Sequence, residues 1–446
     1  MKNSSRFKQS ANAAGSRRVY EDRCRETLET ALERTAMYES WRKLDPGPGE
    51  NLDARFSCLP YLTKADIRAH FPGGVVPRGL DWNSALANDE IFFVKTSGTA
   101  EEALTNIWNQ AWWDASERAS WKLNATAAQR ATGSHREAVL ASALSVGPRS
   151  LGKRLNRRNR TWGRLLFLNE YGRTTEWPDE HERRILNELS EFHPVILEAN
   201  PSLLARLARY CIRTGREAFQ PKLITLTYEF PSALHLRAIR RVFGCPVISS
   251  YGSTEAGYVF MECECGRLHQ NAEFCRVDLL PIGADGIGRL LVTTFGNRWF
   301  PLLRFDIGDL AQRSEGPCPC GRDFGLTVAS IEGRLISLCQ ASDGSIVTQR
   351  RIDDAIANVP GIEEYRLDQD DPKSLSLKVV VSKMKPEGAK SGARDALHAL
   401  FGSDMLIETE CVPALFPEES GKFLLVRRRF PLQEPAAAAM KEFAYV

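Results

Sequence analysis

The chain has little net charge and no long apolar run. A formal charge of +3 across 446 residues is too small to imply a nucleic-acid partner. No stretch of about 18 apolar residues offers a membrane span. The leading segment, residues 1–18, is polar and basic without an apolar core, so it lacks the pattern of a secretory signal and cytoplasmic localisation is the expectation. Internal repeats and long low-complexity stretches are also missing. The eleven cysteines are an odd number spread over a long chain, which argues against a disulfide framework and for a reducing compartment. What remains is an ordinary globular composition, 43% hydrophobic and 26% charged, in a chain long enough for a large domain and a smaller one.

Two local concentrations stand out against this background. One is basic, residues 149–164 (RSLGKRLNRRNRTWGR), expected as a solvated loop, with contact to an anionic ligand or membrane surface as the alternative. The other is thiol-rich: Cys263, Cys265, Cys275, Cys318 and Cys320 share one window. Three thiolates and one imidazole can close a tetrahedral zinc site, and His269 lies among them.

Along the chain, helical periodicity over 19–45 ends in the breaker-rich Asp45-Pro-Gly-Pro-Gly49, and Thr63 stands where it can cap a helix. The run 90–95 reads as a strand entering a hydroxyl and glycine turn, Thr96-Ser97-Gly98-Thr99. The tryptophans at 108, 112, 113 and 121 follow on a segment whose spacing favours core packing. Apolar stretches at 138–146, 165–168, 194–197, 223–226 and 246–249 alternate with helical stretches at 180–191, 201–212 and 231–243. That βαβ rhythm predicts an α/β fold with mixed sheets flanked by helices. Strands are expected again at 288–294 and 302–305. Character changes near Ile331-Glu-Gly-Arg334, giving an expected division into 1–332 and a smaller α+β domain, 333–446, with strands, one helix and a basic final strand.

The last of the apolar runs feeds the stretch around which the chemistry gathers, Tyr251-Gly252-Ser253-Thr254-Glu255. Taken with the hydroxyl turn at 96–99, Arg304-Phe-Asp-Ile-Gly-Asp309, Gly333-Arg334 and Ser420-Gly-Lys422, it resembles the motif order of the adenylate-forming (acyl/aryl-CoA synthetase) superfamily. The phenylacetate-CoA ligase-like branch is the nearest resemblance, through Leu59-Pro-Tyr-Leu-Thr-Lys64, Asn200-Pro-Ser-Leu-Leu204 and the cysteine window. The resemblance spans nearly the whole chain.

It implies a large N-terminal domain that binds nucleotide and acyl group, and a small C-terminal lid. ATP would activate a small carboxylic acid to an acyl-adenylate, releasing pyrophosphate, and coenzyme A would take the acyl group. Thr96, Ser97, Gly98 and Thr99 would cradle phosphates, where backbone N–H groups and hydroxyls suit an anion. Tyr228, Glu229, Tyr251, Gly252 and Ser253 would border the nucleotide, Thr254 would bond its α-phosphate, and Glu255 would hold Mg2+, a hard cation that takes oxygen ligands. Asp309 would grip the ribose, Arg334 would be a second ribose or phosphate contact, and Lys422 would neutralise charge in the transition state. Zinc, as a structural ion, would take Cys263, His269, Cys318 and Cys320, with Cys265 able to replace Cys263 and Cys275 a weaker ligand. Residues near 135–148, 225–230 and just before Tyr251 would line an acyl pocket for a small aryl or medium acyl group.

Three departures from the family pattern accompany these matches. Ala100, Glu101 and Glu102 stand where the phosphate loop usually continues with Gly and Lys. Tyr228 fills a position usually small, and Leu335-Ile336-Ser337 replaces an acidic hinge. They leave open transfer of the adenylate to an amine or carrier protein, or a degenerate nucleotide-binding scaffold without turnover.

Overall fold

The computed structural model describes residues 3–96, 104–143, 155–171, 177–282, 285–382, 388–418 and 422–432. The chain forms two compact units, each assembled from separated segments: 1–125 with 251–330, and 126–250 with 331–440.

In the first unit the opening helix is Asn3–Arg34. Cys24, Leu28, Ala31 and Leu32 recur at three- and four-residue spacing on it and are fully or nearly fully buried. The expected cap at Thr63 is a reciprocal capping box with Asp66, which satisfies two otherwise orphaned helix N–H groups. The run 90–95 narrows to the strand Phe92–Lys95, which pairs antiparallel with Thr105–Trp108. Helix Gln110–Trp121 follows, its start held by Asn109, whose Oδ1 accepts from the Trp112 N–H at 2.9 Å. Trp112 and Trp121 are buried, as core spacing predicts, while Trp108 and Trp113 stack on each other with centroids 4.2 Å apart.

Antiparallel pairing joins Cys275–Pro281 to Ile287–Thr294, the latter to Phe305–Arg313, and Leu268–Gln270 to both Gly257–Glu262 and Thr327–Arg334. The strand expected at 302–305 lies instead at 305–313. Arg304 has φ +45, a left-handed turn that starts the strand only at Phe305, so the apolar run before it is buried loop.

The second unit holds a parallel sheet whose neighbours run Leu165–Phe167, Glu137–Leu140, Ile196–Ala199, Leu223–Leu226 and Val247–Ser253. Helices Asp179–Phe192, Pro201–Thr214 and Ala233–Val242 supply the crossovers. One face of this sheet packs Ala138, Leu140, Leu197, Ala199, Ile224 and Leu226 into a core with Leu189 and Leu204. The later segment adds a four-stranded sheet in the order Leu406–Cys411, Ser374–Val381, Ile362–Asp371, Val426–Arg428. Helices Gln349–Ala357 and Ala389–Phe401 complete an α+β layer whose core also takes in Leu234. The α/β class expected from the rhythm holds in both units.

The basic stretch differs from its expectation. Residues 149–154 lie outside the described ones, but Arg160 is 1% exposed, donating to Glu188 through Nη1 at 3.0 Å and Nη2 at 2.5 Å. Arg157 pairs with Glu191 and Arg164 with Glu137, so acidic partners from helix 179–192 and strand 137–140 absorb charge that composition alone assigns to solvent.

Candidate active site

The first unit holds the turn Tyr251 to Gly257, and packing leaves it little freedom. A Cβ on Gly252 would sit 2.3 Å from the Gly257 carbonyl oxygen. Gly257 itself has φ +71, and a Cβ there would meet Trp112 and Ser116 at 2.9 Å. Gly252 is therefore required by close approach, and Gly257 by close approach and left-handed backbone together. Ser253 Oγ accepts from the Ala256 N–H at 3.1 Å, a local bond that closes the turn.

Tyr251 donates its hydroxyl to Asp309 Oδ2 at 2.7 Å, joining two motifs 58 residues apart. Asp309 lies in strand 305–313, one residue after Gly308, whose φ of +88 and N–H bond to Asp306 Oδ1 shape the strand there. Thr254 is pinned from the strand pair: Asn106 Nδ2 donates to its carbonyl at 2.7 Å, while Asn106 Oδ1 is buried without a hydrogen-bond partner among the described residues. Asn106 was not among the residues the motifs singled out. An amide inside the otherwise apolar strand leaving the hydroxyl turn was the available signal. Glu255 is 5% exposed, which sets its carboxylate apart from that of an ordinary turn. Thr96 closes the base of the hairpin, with its N–H on the Leu104 carbonyl at 2.8 Å and its Oγ1 accepting from the Leu104 N–H. Ser97, Gly98, Thr99 and the two acidic residues after them lie outside the described residues.

The same unit brings together the thiol cluster. One donor atom each from Cys263, His269, Cys318 and Cys320 lies within 4.8 Å of every other. Cys263 and Cys318 sulfurs are 3.6 Å apart, and Cys320 Sγ lies 3.3 Å from His269 Nε2. A tetrahedral ion with metal–sulfur bonds near 2.3 Å sets sulfurs about 3.8 Å apart, so the four atoms stand at the right scale for one ion. His269 sits on the short strand 268–270, and its Nδ1 is 3.2 Å from Thr327 Oγ1, leaving Nε2 for the cluster. Cys265 is exposed, with its backbone N–H on Cys263 Sγ, and Cys275 is buried elsewhere, its sulfur near the Val259 and Asn271 carbonyls. Burial pushes the Cys263 thiol up to about 11. At Cys320 burial also opposes ionisation, but hydrogen bonds from Arg322, Cys318 and Cys263 outweigh it and hold the thiol below its usual range.

In the second unit, Tyr228 has φ +76, left-handed backbone that a side chain rarely adopts, and its hydroxyl donates to Glu198 Oε1. Glu229 is turned inward. Its Oε1 accepts from the Ser202 N–H at 2.8 Å at the start of helix 201–214, and its Oε2 from the Phe423 N–H at 2.7 Å. Burial pushes this carboxyl up, with those hydrogen bonds opposing. Glu229 thereby anchors the backbone next to Lys422, whose side chain is exposed and whose carbonyl accepts from the Glu418 N–H. Arg334 ends strand 327–334 after Gly333, where φ is +104 and a Cβ would stand 2.6 Å from Gln349 Cβ. The two adjoining residues thus bond different partners: the Tyr228 hydroxyl meets Glu198, and Glu229 holds the backbone beside Lys422.

This architecture is the fold of the adenylate-forming superfamily. A crystal structure of 2-hydroxyisobutyryl-CoA ligase with an acyl-AMP superposes with a TM-score of 0.68 at 17% identity, covering 95% of this chain and 91% of that one. The amide bond synthetase McbA from Marinactinospora thermotolerans gives 0.51 at 15%, over 78% and 70%. By sequence, residues 339–429 match the CapK C-terminal domain family. Protein CapK of Staphylococcus aureus is 27% identical over 243 residues, 54% of either chain. Fumarate–(S)-2,3-diaminopropanoate ligase of Enterobacter agglomerans is 27% identical over 232 residues, 49% of this chain and 56% of that one. The chain thus spans about half the length of these relatives.

Proposed function

We propose that the protein is a cytoplasmic, phenylacetate-CoA ligase-like enzyme that adenylates a small carboxylic acid. The acid's oxygen attacks the α-phosphorus of ATP, pyrophosphate leaves, and the acyl-adenylate passes its acyl group to the thiol of coenzyme A with release of AMP. The observation that carries this reading is the Tyr251 hydroxyl on Asp309, with Thr254 fixed by Asn106 in the same unit. A phenol and a carboxylate side by side suit a nucleoside, with Asp309 accepting from ribose hydroxyls. Glu255 would take Mg2+ with phosphate oxygens, Thr254 the α-phosphate, and Arg334 and Lys422 charge on the nucleotide. Thr96, Ser97, Gly98 and Thr99 would cradle the outer phosphates, with Gly252, Ser253, Tyr228 and Glu229 completing the surroundings. Zinc would sit in Cys263, His269, Cys318 and Cys320, where it would supply a fixed cross-link; a full set of protein ligands suits a structural ion.

An amine as acyl acceptor is the second reading, supported by the sequence relative named as a diaminopropanoate ligase. Carboxylate-dependent ATP–pyrophosphate exchange over an acid panel, followed by product analysis with coenzyme A and with amines, tests both. Exchange with an acid and a thioester product is the expected result. Exchange with an amide and no thioester would select the amine reading, and ATP binding without exchange would leave only a nucleotide-binding scaffold. Glu255→Gln should lower exchange at least about tenfold if the residue holds the metal.

A further inference from the structure

The parallel sheet of the second unit has two unlike faces. Its core face is built mainly of the apolar side chains described above, and parallel sheets are ordinarily apolar on both. Here the other face carries charge. Register pairs Val139 with Glu198, Glu198 with Thr225 and Thr225 with Ile248, so Glu137, Glu198, Thr225 and Ser250 project to the same side. Each is less than a tenth exposed. Carboxylate oxygens of Glu137 and Glu198 lie within 4.8 Å of each other, an arrangement that like charges resist in a low-dielectric setting.

The remaining groups grade this face from one end to the other. Arg164 Nη1 stands 2.6 Å from Glu137 Oε2, with His135 Nε2 at 3.3 Å from the same oxygen, so a guanidinium already addresses Glu137. Toward the carboxyl ends of the strands, Tyr228 turns its hydroxyl onto Glu198, and Ser250 Oγ is buried with no hydrogen-bond partner among the described residues. The carboxyl ends of parallel strands are where α/β sheets receive ligands. A wall of carboxylate and hydroxyl oxygens there accepts hydrogen bonds, and its natural complement is a cation with several N–H donors. The Arg164 guanidinium on Glu137 Oε2 shows N–H donors already meeting part of this charge.

We propose that Glu198, with Ser250, Tyr228 and Glu137 behind it, selects a ligand bearing a protonated amine. That amine belongs to the acid being activated or to the acceptor that receives the acyl group. The proposal rests on the adenylation reading and narrows its substrate class. The amine on this wall stays charged and does no chemistry; a second amine of a diamine would be the attacking group.

The test uses the full chain in ATP–pyrophosphate exchange with matched acids: β-alanine against propionate, γ-aminobutyrate against butyrate, aminomethylbenzoate against methylbenzoate. A preference of about tenfold or more in kcat/KM for the aminated member, abolished through KM in Glu198→Gln while the neutral member is unchanged or improved, assigns the amine to the acid. If the acids do not discriminate, a preformed neutral adenylate is offered putrescine or hydroxylamine, and a tenfold rise in KM for putrescine alone in Glu198→Gln assigns it to the acceptor. Tyr228→Phe, which preserves shape, should show a smaller change of the same sign. Equal behaviour of wild type and Glu198→Gln in both arms overturns the proposal. If no acid supports exchange, adenylation fails. Isothermal titration of the same amino acids and of putrescine then decides the wall alone: binding lost in Glu198→Gln supports it, and no binding overturns it.

Discussion

Acid should loosen the second unit through His235. This residue of helix 233–242 is 1% exposed, both ring nitrogens lack hydrogen-bond partners among the described residues, and its ring meets Phe423 edge-on with centroids 5.6 Å apart. Burial, with the nearby Arg209 guanidinium adding to it, pushes the imidazole down to about 3. Glu364 lies 3.9 Å from Nε2 but is already paired with Arg209. The unfolded chain therefore binds a proton that the folded one refuses. The neutral ring's contribution is present in full above the ordinary imidazole value of about 6.5 and is lost as pH falls toward the folded value. At pH 4.5, two units below that ordinary value, the loss is about 2.7 kcal/mol. His235→Phe keeps an aromatic ring against Phe423 and abandons no hydrogen bond, so it should fold well at pH 7. Between pH 7 and 4.5 the wild type should lose roughly 5–10 °C more in Tm than the variant, followed by the fluorescence of Trp162 and Trp177. Parallel losses within a degree would refute the argument.

Gly257→Ala places a side chain at φ +71 against the Trp112 ring and should cost about 2–4 kcal/mol, read by urea denaturation; combining it with Trp112→Leu should recover part of that loss. Tyr251→Phe removes a hydrogen bond to a carboxylate and should raise the KM for ATP about tenfold in the exchange assay while leaving the melting temperature nearly unchanged. The purified chain should hold one zinc by elemental analysis, and stripping it with a chelator should lower Tm measurably; metal content well below one per chain would discard that ligand set.

The alternation of short apolar runs with helical periods announced the parallel sheet because each crossover must bury one side of both elements, and the strands at 196–199, 223–226 and 247–253 lie close to where the runs fall. The strand at 305–313 was harder to read, since Asp306, Gly308 and Asp309 interrupt its hydrophobicity. Glycine spacing could not reveal that Gly257 is required by Trp112, a contact 145 residues away in the chain. The cysteine window was legible because five of the eleven cysteines fall within it. The inward turn of Glu229 was not, because its partners are backbone N–H groups, which every residue possesses.

Asp353 makes a further contact of the kind Glu229 makes, a buried carboxyl accepting from a backbone N–H. Fully buried in the later segment, it accepts from Ser232 Oγ at 2.6 Å and from the Ala233 N–H at 2.7 Å, capping helix 233–242 from 120 residues away. Any step that needed residues 331–440 elsewhere would break both bonds, at about 3–5 kcal/mol, leaving the Ser232 hydroxyl on the Leu234 N–H as the helix cap. Because detachment would also break the Glu229 bond to Phe423 and expose Leu234, the Asp353 bonds alone set only an upper bound on the detached form, about one molecule in a hundred, and a ligand recognising only that form would bind with its affinity reduced at least in that proportion. Asp353 is thus one of several contacts, with Glu229 on Phe423 and Leu234 in the shared core, that set how rarely the chain samples a second state. Asp353→Ala would raise that population, visible as tighter binding of whichever ligand prefers it.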